Sequence, residues 1–187
     1  MIEYTNDFED SSRNGEFTGN GFDIRLESGF DNMAIHSTHP HVNSIDLIYT
    51  LTQPIRIKGQ QFLRYNDVAI IEPGEPGSVF GDNDFWDFVI VEGSTDGDTW
   101  TALLDGYDAR TNEGWLNAYN QGSPGRSSLF APQQIDLSEF FVKDDIILLR
   151  FRLTADAAVV GWGWAIDDVN VILDNTCLLY TSPSPRD

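Results

Sequence analysis

The chain has 187 residues, 41% of them hydrophobic, with five Trp, six Tyr and twelve Phe, which excludes a disordered polymer and suits one packed domain. Thirty acidic residues against eleven basic ones give a net charge of −19, which excludes nucleic acid and anionic membrane surfaces as partners, because either needs a basic face. No apolar run reaches the roughly 18 residues of a membrane span. Residues 1–6 have neither a basic nor an apolar leader region, so no signal peptide is read there and any export signal would lie in sequence outside this chain.

In chain order, residues 2–8 predict a first strand, followed by an acidic turn at 9–12. Residues 16–26 alternate loosely around Gly19 and Gly21, as a short bent strand would. Residues 30–37 follow, with Met33 and Ile35 on one face. A loop then carries every histidine of the chain: His36, His39 and His41, with Pro40 between the last two. Residues 44–51 alternate through Ile45, Leu47, Tyr49 and Leu51, and Pro54 ends that strand. A long strand is expected over 61–71. The Glu-Pro-Gly-Glu-Pro-Gly-Ser run at 72–78 predicts a stiff surface loop.

Residues 85–104 carry the clearest local signal. An apolar and β-branched run at 85–91, broken only by Asp87, meets a turn of Gly93, Ser94, Asp96 and Gly97, and a second strand leaves it at 99–104. The near-continuous apolar run suits a strand inside a sheet rather than at a solvated edge. Residues 105–125 are polar and irregular, with one or two helical turns expected over 112–119. Residues 130–137 predict a modest strand. Residues 146–153 predict a buried one, with Arg150 and Arg152 on its solvated face, and residues 161–172 close the domain. About ten strands, almost no helix and Gly/Pro/Asp turns throughout define an all-β chain, a sandwich or a barrel.

The order of several pieces resembles one family. Phe8-Glu9-Asp10, the hairpin at 91–100, Ile-Asp-Leu-Ser at 135–138, Leu-Arg-Phe-Arg at 149–152 and Gly-Trp-Gly-Trp-Ala-Ile-Asp-Asp-Val at 161–169 together resemble the MAM-like jelly-roll modules of large secreted bacterial proteins. These include modules appended to immune-inhibitor-type metalloproteases. The runs at 72–82 and 85–94 resemble surface proteins of the Bacteroidetes type. The resemblance implies a jelly-roll β-sandwich of two antiparallel sheets over residues 1–176. It also implies a secreted or cell-surface location, further domains beside this one, and a non-catalytic role in adhesion or substrate targeting. Vertebrate MAM domains carry cysteines that are absent here, so no disulfide inference transfers. Residues 177–187, including the lone Cys177, resemble a translated frame of the transposase adapter used in preparing sequencing libraries, and on that reading the tail is not native.

The same resemblance implies a structural Ca²⁺ held by Glu9, Asp10, Asp167 and Asp168, where the first and last strands meet. The alternative is that these acids cap backbone N–H groups in turns. His36, His39 and His41 offer a nitrogen set for Zn²⁺ or Ni²⁺, or else a rigid turn built for packing. The turn from Ser94 to Trp100 looks like a shortened Asp-box, read as structural. Trp115 and Tyr119, four apart in the predicted helical turn, form an aromatic pair that, with Tyr107 and Arg110, would contact an extracellular glycan or protein, as in a carbohydrate-binding module; the alternative is a lid over the sandwich. Trp86 and Trp164 are assigned to the core. No catalytic residue is assigned: the native part has no cysteine, and neither a Gly-x-Ser-x-Gly elbow nor a phosphate loop is present. The acid pairs Asp84/Asp87 and Asp144/Asp145 leave a fragment of a secreted hydrolase as the remaining alternative.

Overall fold

The structure, a computed structural model, describes residues 2–173, so Cys177 and the expected adapter-derived tail lie outside the described residues. The strands are β1 (Ile2–Asn6), β2 (Phe17–Asn20), β3 (Phe22–Arg25), β4 (Ala34–Ser37), β5 (Ile45–Leu51), β6 (Ile55–Arg56), β7 (Gln61–Ile70), β8 (Phe88–Ser94), β9 (Thr101–Ala102), β10 (Ala131–Asp136), β11 (Ile146–Ala155) and β12 (Gly163–Leu173). One α-helix among the described residues, α1 (Glu113–Asn120), interrupts the pattern between β9 and β10, flanked by short 3-10 turns. It starts where the Asn112 side chain accepts the Gly114 N–H, with Glu113 in the first turn.

The strands form two antiparallel six-stranded sheets. The first runs β10-β7-β12-β4-β3 with β1 also on β12, and the second runs β2-β5-β11-β8-β9 with β6 on β11. The result is a jelly-roll β-sandwich of two antiparallel sheets. β4 and β1 share one edge of β12 end to end: β4 pairs with Ala165 and Ile166, and β1 with 169–172. The bent strand expected over 16–26 is two strands in different sheets, β2 beside β5 and β3 beside β4. Gly21 makes that change of layer at φ +71, with Leu47 packed where a side chain would have to stand.

Strict alternation in β11 (exposed, then buried and half-buried in turn) buries Ile147, Leu149, Phe151 and Leu153 against the facing sheet. An aromatic chain crosses the two layers: Phe17 to Tyr49 at 5.3 Å, Tyr49 to Phe22 at 5.7 Å, Phe22 to Trp164 at 6.2 Å and Trp164 to Phe151 at 5.6 Å. Full burial of each such ring contributes roughly 1.5–3 kcal/mol of transfer free energy, before edge-to-face terms of about 0.5–1.5 kcal/mol. One carboxylate sits inside this apolar layer. Asp67 is 0% exposed and takes the Tyr107 hydroxyl at 2.5 Å, the Trp164 Nε1–H at 2.9 Å and a Gln133 amide N–H at 3.0 Å.

Two expectations change here. Arg150 and Arg152 are not simply solvated: both are half-buried and donate to Glu92, which is 5% exposed on the neighbouring strand, while Arg150 also lies 4.1 Å over the Trp100 ring. A sheet face that carries long side chains on adjacent strands covers them with one another. The hairpin forms, but its first strand starts at Phe88, and Trp86 is half-exposed instead of core. Its turn is held by Ser94 Oγ, which accepts the Gly97 N–H at 2.9 Å, and by Asp96, which accepts the Thr99 and Asp98 N–H groups. Those donors hold the Asp96 carboxyl down at about 2.

Candidate functional site

The end of the sandwich where β12 begins gathers α1, the His39-Pro40 turn, the connection from β7 to β8 and the connection from β11 to β12. Two clefts meet there across Tyr119. One, of about 690 Å³, lies between His39-Pro40, residues 119–124 and residues 160–162. The other, of about 490 Å³, is lined by Trp86, Leu116, Tyr119, Arg110 and residues 72–76. Trp86 and Tyr119 are both half-exposed, and neither ring contacts another ring among the described residues. Trp162, which also lines the first cleft, carries His39 stacked on it at 3.7 Å and lies nearly parallel to Phe30 at 5.8 Å.

The aromatic pair expected from the sequence is therefore rearranged. Trp115 is 0% exposed, with its Nε1–H donating to the Leu129 carbonyl at 2.8 Å, and Tyr107 is buried beside it with its hydroxyl on Asp67. Both belong to the core, and α1 acts as a lid, because the helix needs its apolar stripe covered. Tyr119 stays at the margin of that stripe and reaches both clefts. Arg110 also lines the second cleft, clamped in place by Asp108 at 2.6 Å, the Glu75 carbonyl at 2.6 Å and the Ser78 hydroxyl at 3.1 Å. Trp86, assigned to the core from its position in an apolar run, takes the place expected for Trp115.

The histidines are bonded to protein instead of converging on a metal. The Trp162 carbonyl can only accept, so His39 donates to it from Nδ1 at 3.0 Å; His39 Nε2 then accepts from His36 Nδ1 at 3.1 Å. His41 Nε2 accepts the Gly161 N–H at 2.7 Å. Burial keeps all three neutral, with His36 pushed down to about 3 and His39 to about 4.

The four acids expected at a calcium site do not share one focus. Glu9 Oε1 accepts the Met33 N–H at 2.7 Å, and Asp167 Oδ2 accepts an Asn32 amide N–H at 2.9 Å. Burial raises the Asp167 pKa to about 6, with the Asp168 and Glu9 charges adding to it. Asp10 instead caps the turn at Ser12 from the solvent side, and Asp168 bonds Asn66 from an exposed bulge position at φ 53. A β-bulge between Asp167 and Asn170 breaks the strand alternation here, leaving Asp167 buried and Asp168 exposed.

Among the described residues, the group of three ligand-bearing side chains that does converge is Glu72, Asp87 and Asp156, with one oxygen from each within 4.8 Å of the others. Asp87 is buried, and burial raises its pKa to about 7, with the nearby Glu72 and Asp156 charges adding to the shift. Burial also raises Glu72, with the Asp156 charge adding to it. The sequence pointed to this group only through the single Asp that breaks the apolar run at 85–90.

No protein-family profile matches the chain, and no curated sequence relative does either. Among solved structures, TmCBM27, a carbohydrate-binding module described for specific mannan recognition, is 10% identical with a TM-score of 0.52, covering 91% of this chain and 96% of its own. The K2 cleaved adhesin domain of Lys-gingipain is 13% identical with a TM-score of 0.51, covering 91% of this chain and 98% of its own. The K3 cleaved adhesin domain of the same protein, from Porphyromonas gingivalis w83, is 12% identical with a TM-score of 0.48 over 91% of this chain and 97% of its own. The likeness is one of fold. No helix among the described residues is long and apolar enough to cross a membrane.

Proposed function

We propose that residues 1–176 act as a non-catalytic binding module outside the cell, holding a neutral glycan in the paired clefts on either side of Tyr119. The observation that carries this reading is the half-exposed, unstacked pair Trp86 and Tyr119 in one cleft, with Arg110 fixed beside them as a donor. An aromatic face covers the apolar face of a sugar ring, and a few placed polar groups fix its orientation. The net charge of −19 disfavours acidic glycans. Adhesin and carbohydrate-binding neighbours of the same fold support the class of function, and the carbohydrate-binding alternative is the more specific form of it.

A hydrolytic reading is disfavoured by geometry. Glycosidase carboxylates stand about 5–10 Å apart with the scissile bond between them. The central member of the converging group here, Asp87, is sealed from solvent, where no glycosidic bond reaches it. The test is affinity electrophoresis of the full chain in soluble neutral polysaccharides, with mannan first because TmCBM27 recognises it. Retardation of the wild type should be lost in Trp86→Ala and weakened in Tyr119→Ala, with unchanged circular dichroism. Equal retardation of all three proteins, or none in any neutral polysaccharide, would overturn the proposal.

A further inference from the structure

Two connections that are far apart in the chain deliver three carboxylates to the same point. Glu72 follows β7, Asp87 precedes β8 and Asp156 follows β11. The Asp87 side chain is 0% exposed, yet its Oδ2 accepts no hydrogen bond; Glu72 Oε2 is buried and unpartnered in the same way. Asp87 Oδ1 has a donor, the Asp156 N–H at 2.8 Å, so the deficit lies on the side that faces the other acids. His41 Nε2 lies 3.3 Å from Asp87 Oδ2, but it already accepts the Gly161 N–H and carries no proton to give. Buried carboxylate oxygens without donors are costly unless a positive charge stands among them.

We infer that Glu72, Asp87 and Asp156 form a binding site for a hard divalent cation, with Ca²⁺ the best match. The donors are all oxygen, which argues against the softer metals that favour nitrogen and sulfur. Three carboxylates supply up to six of the roughly six to eight oxygens that Ca²⁺ takes at about 2.3–2.6 Å, and two ligands on opposite sides of such an ion stand about 4.8 Å apart. Mg²⁺ demands a tighter octahedron and gives up its water reluctantly, so a site shared by two separate connections suits it less. The ion would fasten the β7–β8 connection to the β11–β12 connection, and these form walls of the two clefts: Glu72 lines one, and Val160, Gly161 and Trp162 line the other. This site is separate from Glu9 and Asp167, and it does not depend on the glycan reading.

The experiment is thermal unfolding of the full chain in EDTA and across a CaCl₂ titration, for the wild type, Glu72→Gln, Asp87→Asn, Asp156→Asn and the control Glu9→Gln. A ligand that binds only the folded state raises the midpoint with concentration. The wild type and Glu9→Gln should show the same rise, and the three site variants should need about tenfold or more Ca²⁺ to reach it. Asp156 is half-exposed on a loop, so Asp156→Asn keeps the test valid should Asp87→Asn fail to fold. Tb³⁺ luminescence excited through Trp86 and Tyr119 reads the same site without heating, and excess Ca²⁺ should quench it. No midpoint rise in the wild type, an undiminished rise in Asp156→Asn, or loss of the rise only in Glu9→Gln would overturn the inference.

Discussion

Asp67 and Asp87 are both sealed from solvent, and burial raises both, one to about 6 and the other to about 7. Their surroundings differ completely. Asp67 sits between the sheets with three donors aimed at it, from Tyr107, Trp164 and Gln133, and it is a finished node. Asp87 sits among connecting loops with one full hydrogen bond, from the Asp156 N–H, a looser approach of the Glu72 N–H, and two further acids beside it. The first completes its own hydrogen bonding; the second leaves a gap of the shape and charge that a cation fills. Burial alone therefore does not distinguish a structural carboxylate from a binding one, whereas the count of donors does.

The contrast can be broken most forcefully at the finished node. Asp67→Ala would strand three buried donors at about 1–3 kcal/mol each, partly relieved by repacking, so a loss of about 3–5 kcal/mol is expected in urea unfolding. A loss below about 1 kcal/mol would mean that the node contributes little. Next in size is its pH signature. The folded pKa is raised from its ordinary 3.8 to about 6, so the folded state holds this proton more tightly than the unfolded chain. The contribution is fully present below 3.8 and is lost as the pH rises through about 6, a swing of about 2–3 kcal/mol. Urea midpoints measured across that window should fall more steeply with pH in the wild type than in Asp67→Asn. His36 and His39, held below their ordinary 6.5, act in the opposite direction and lose stability as the pH falls from 6.5; they cancel in that comparison.

Smaller effects sharpen the other side. In EDTA, Asp87→Asn should leave stability unchanged or raise it by up to about 1 kcal/mol, because the new amide supplies the donor that the neighbouring acids lack. A cost matching that of Asp67→Asn would erase the distinction between the two residues. Glu92 provides the intermediate case, a buried acid satisfied by Arg150 and Arg152. Trp100→Ala, which uncovers Arg150 without breaking its bond to Glu92, should cost only about 0.5–1 kcal/mol in the same assay.

The strands were legible because their signals are local. The alternation of Ile45, Leu47, Tyr49 and Leu51 appears as β5, and the Gly/Asp turn read at 93–97 appears between β8 and β9, with Gly93 and Ser94 still paired in β8. The split at Gly21 was half legible: the glycines marked a bend, but a change of sheet depends on Leu47 from another strand. The site was harder to read for the same reason. The four-residue spacing of Trp115 and Tyr119 placed them on one helical face, but the partner that draws Trp115 inward is the carbonyl of Leu129, which only the tertiary fold brings there. Asp87 was visible as an interruption, while Glu72 comes from the far end of the same connection and Asp156 from the one after β11.

The pairing of β1 with β12 has a geometric consequence for how such a unit is displayed. Ile2 lies opposite Ile172, so the backbone arrives and departs side by side at one pole, separated by about one strand spacing of roughly 5 Å. β12 begins beside Trp162 and runs eleven residues from Gly163 to Leu173, a span of about 33 Å at roughly 3.3 Å per residue. The clefts and the paired ends of β1 and β12 at Ile2 and Ile172 therefore occupy opposite poles. A polypeptide carrying this unit would hold it by the base like a bulb in a socket, with the aromatic rim turned outward.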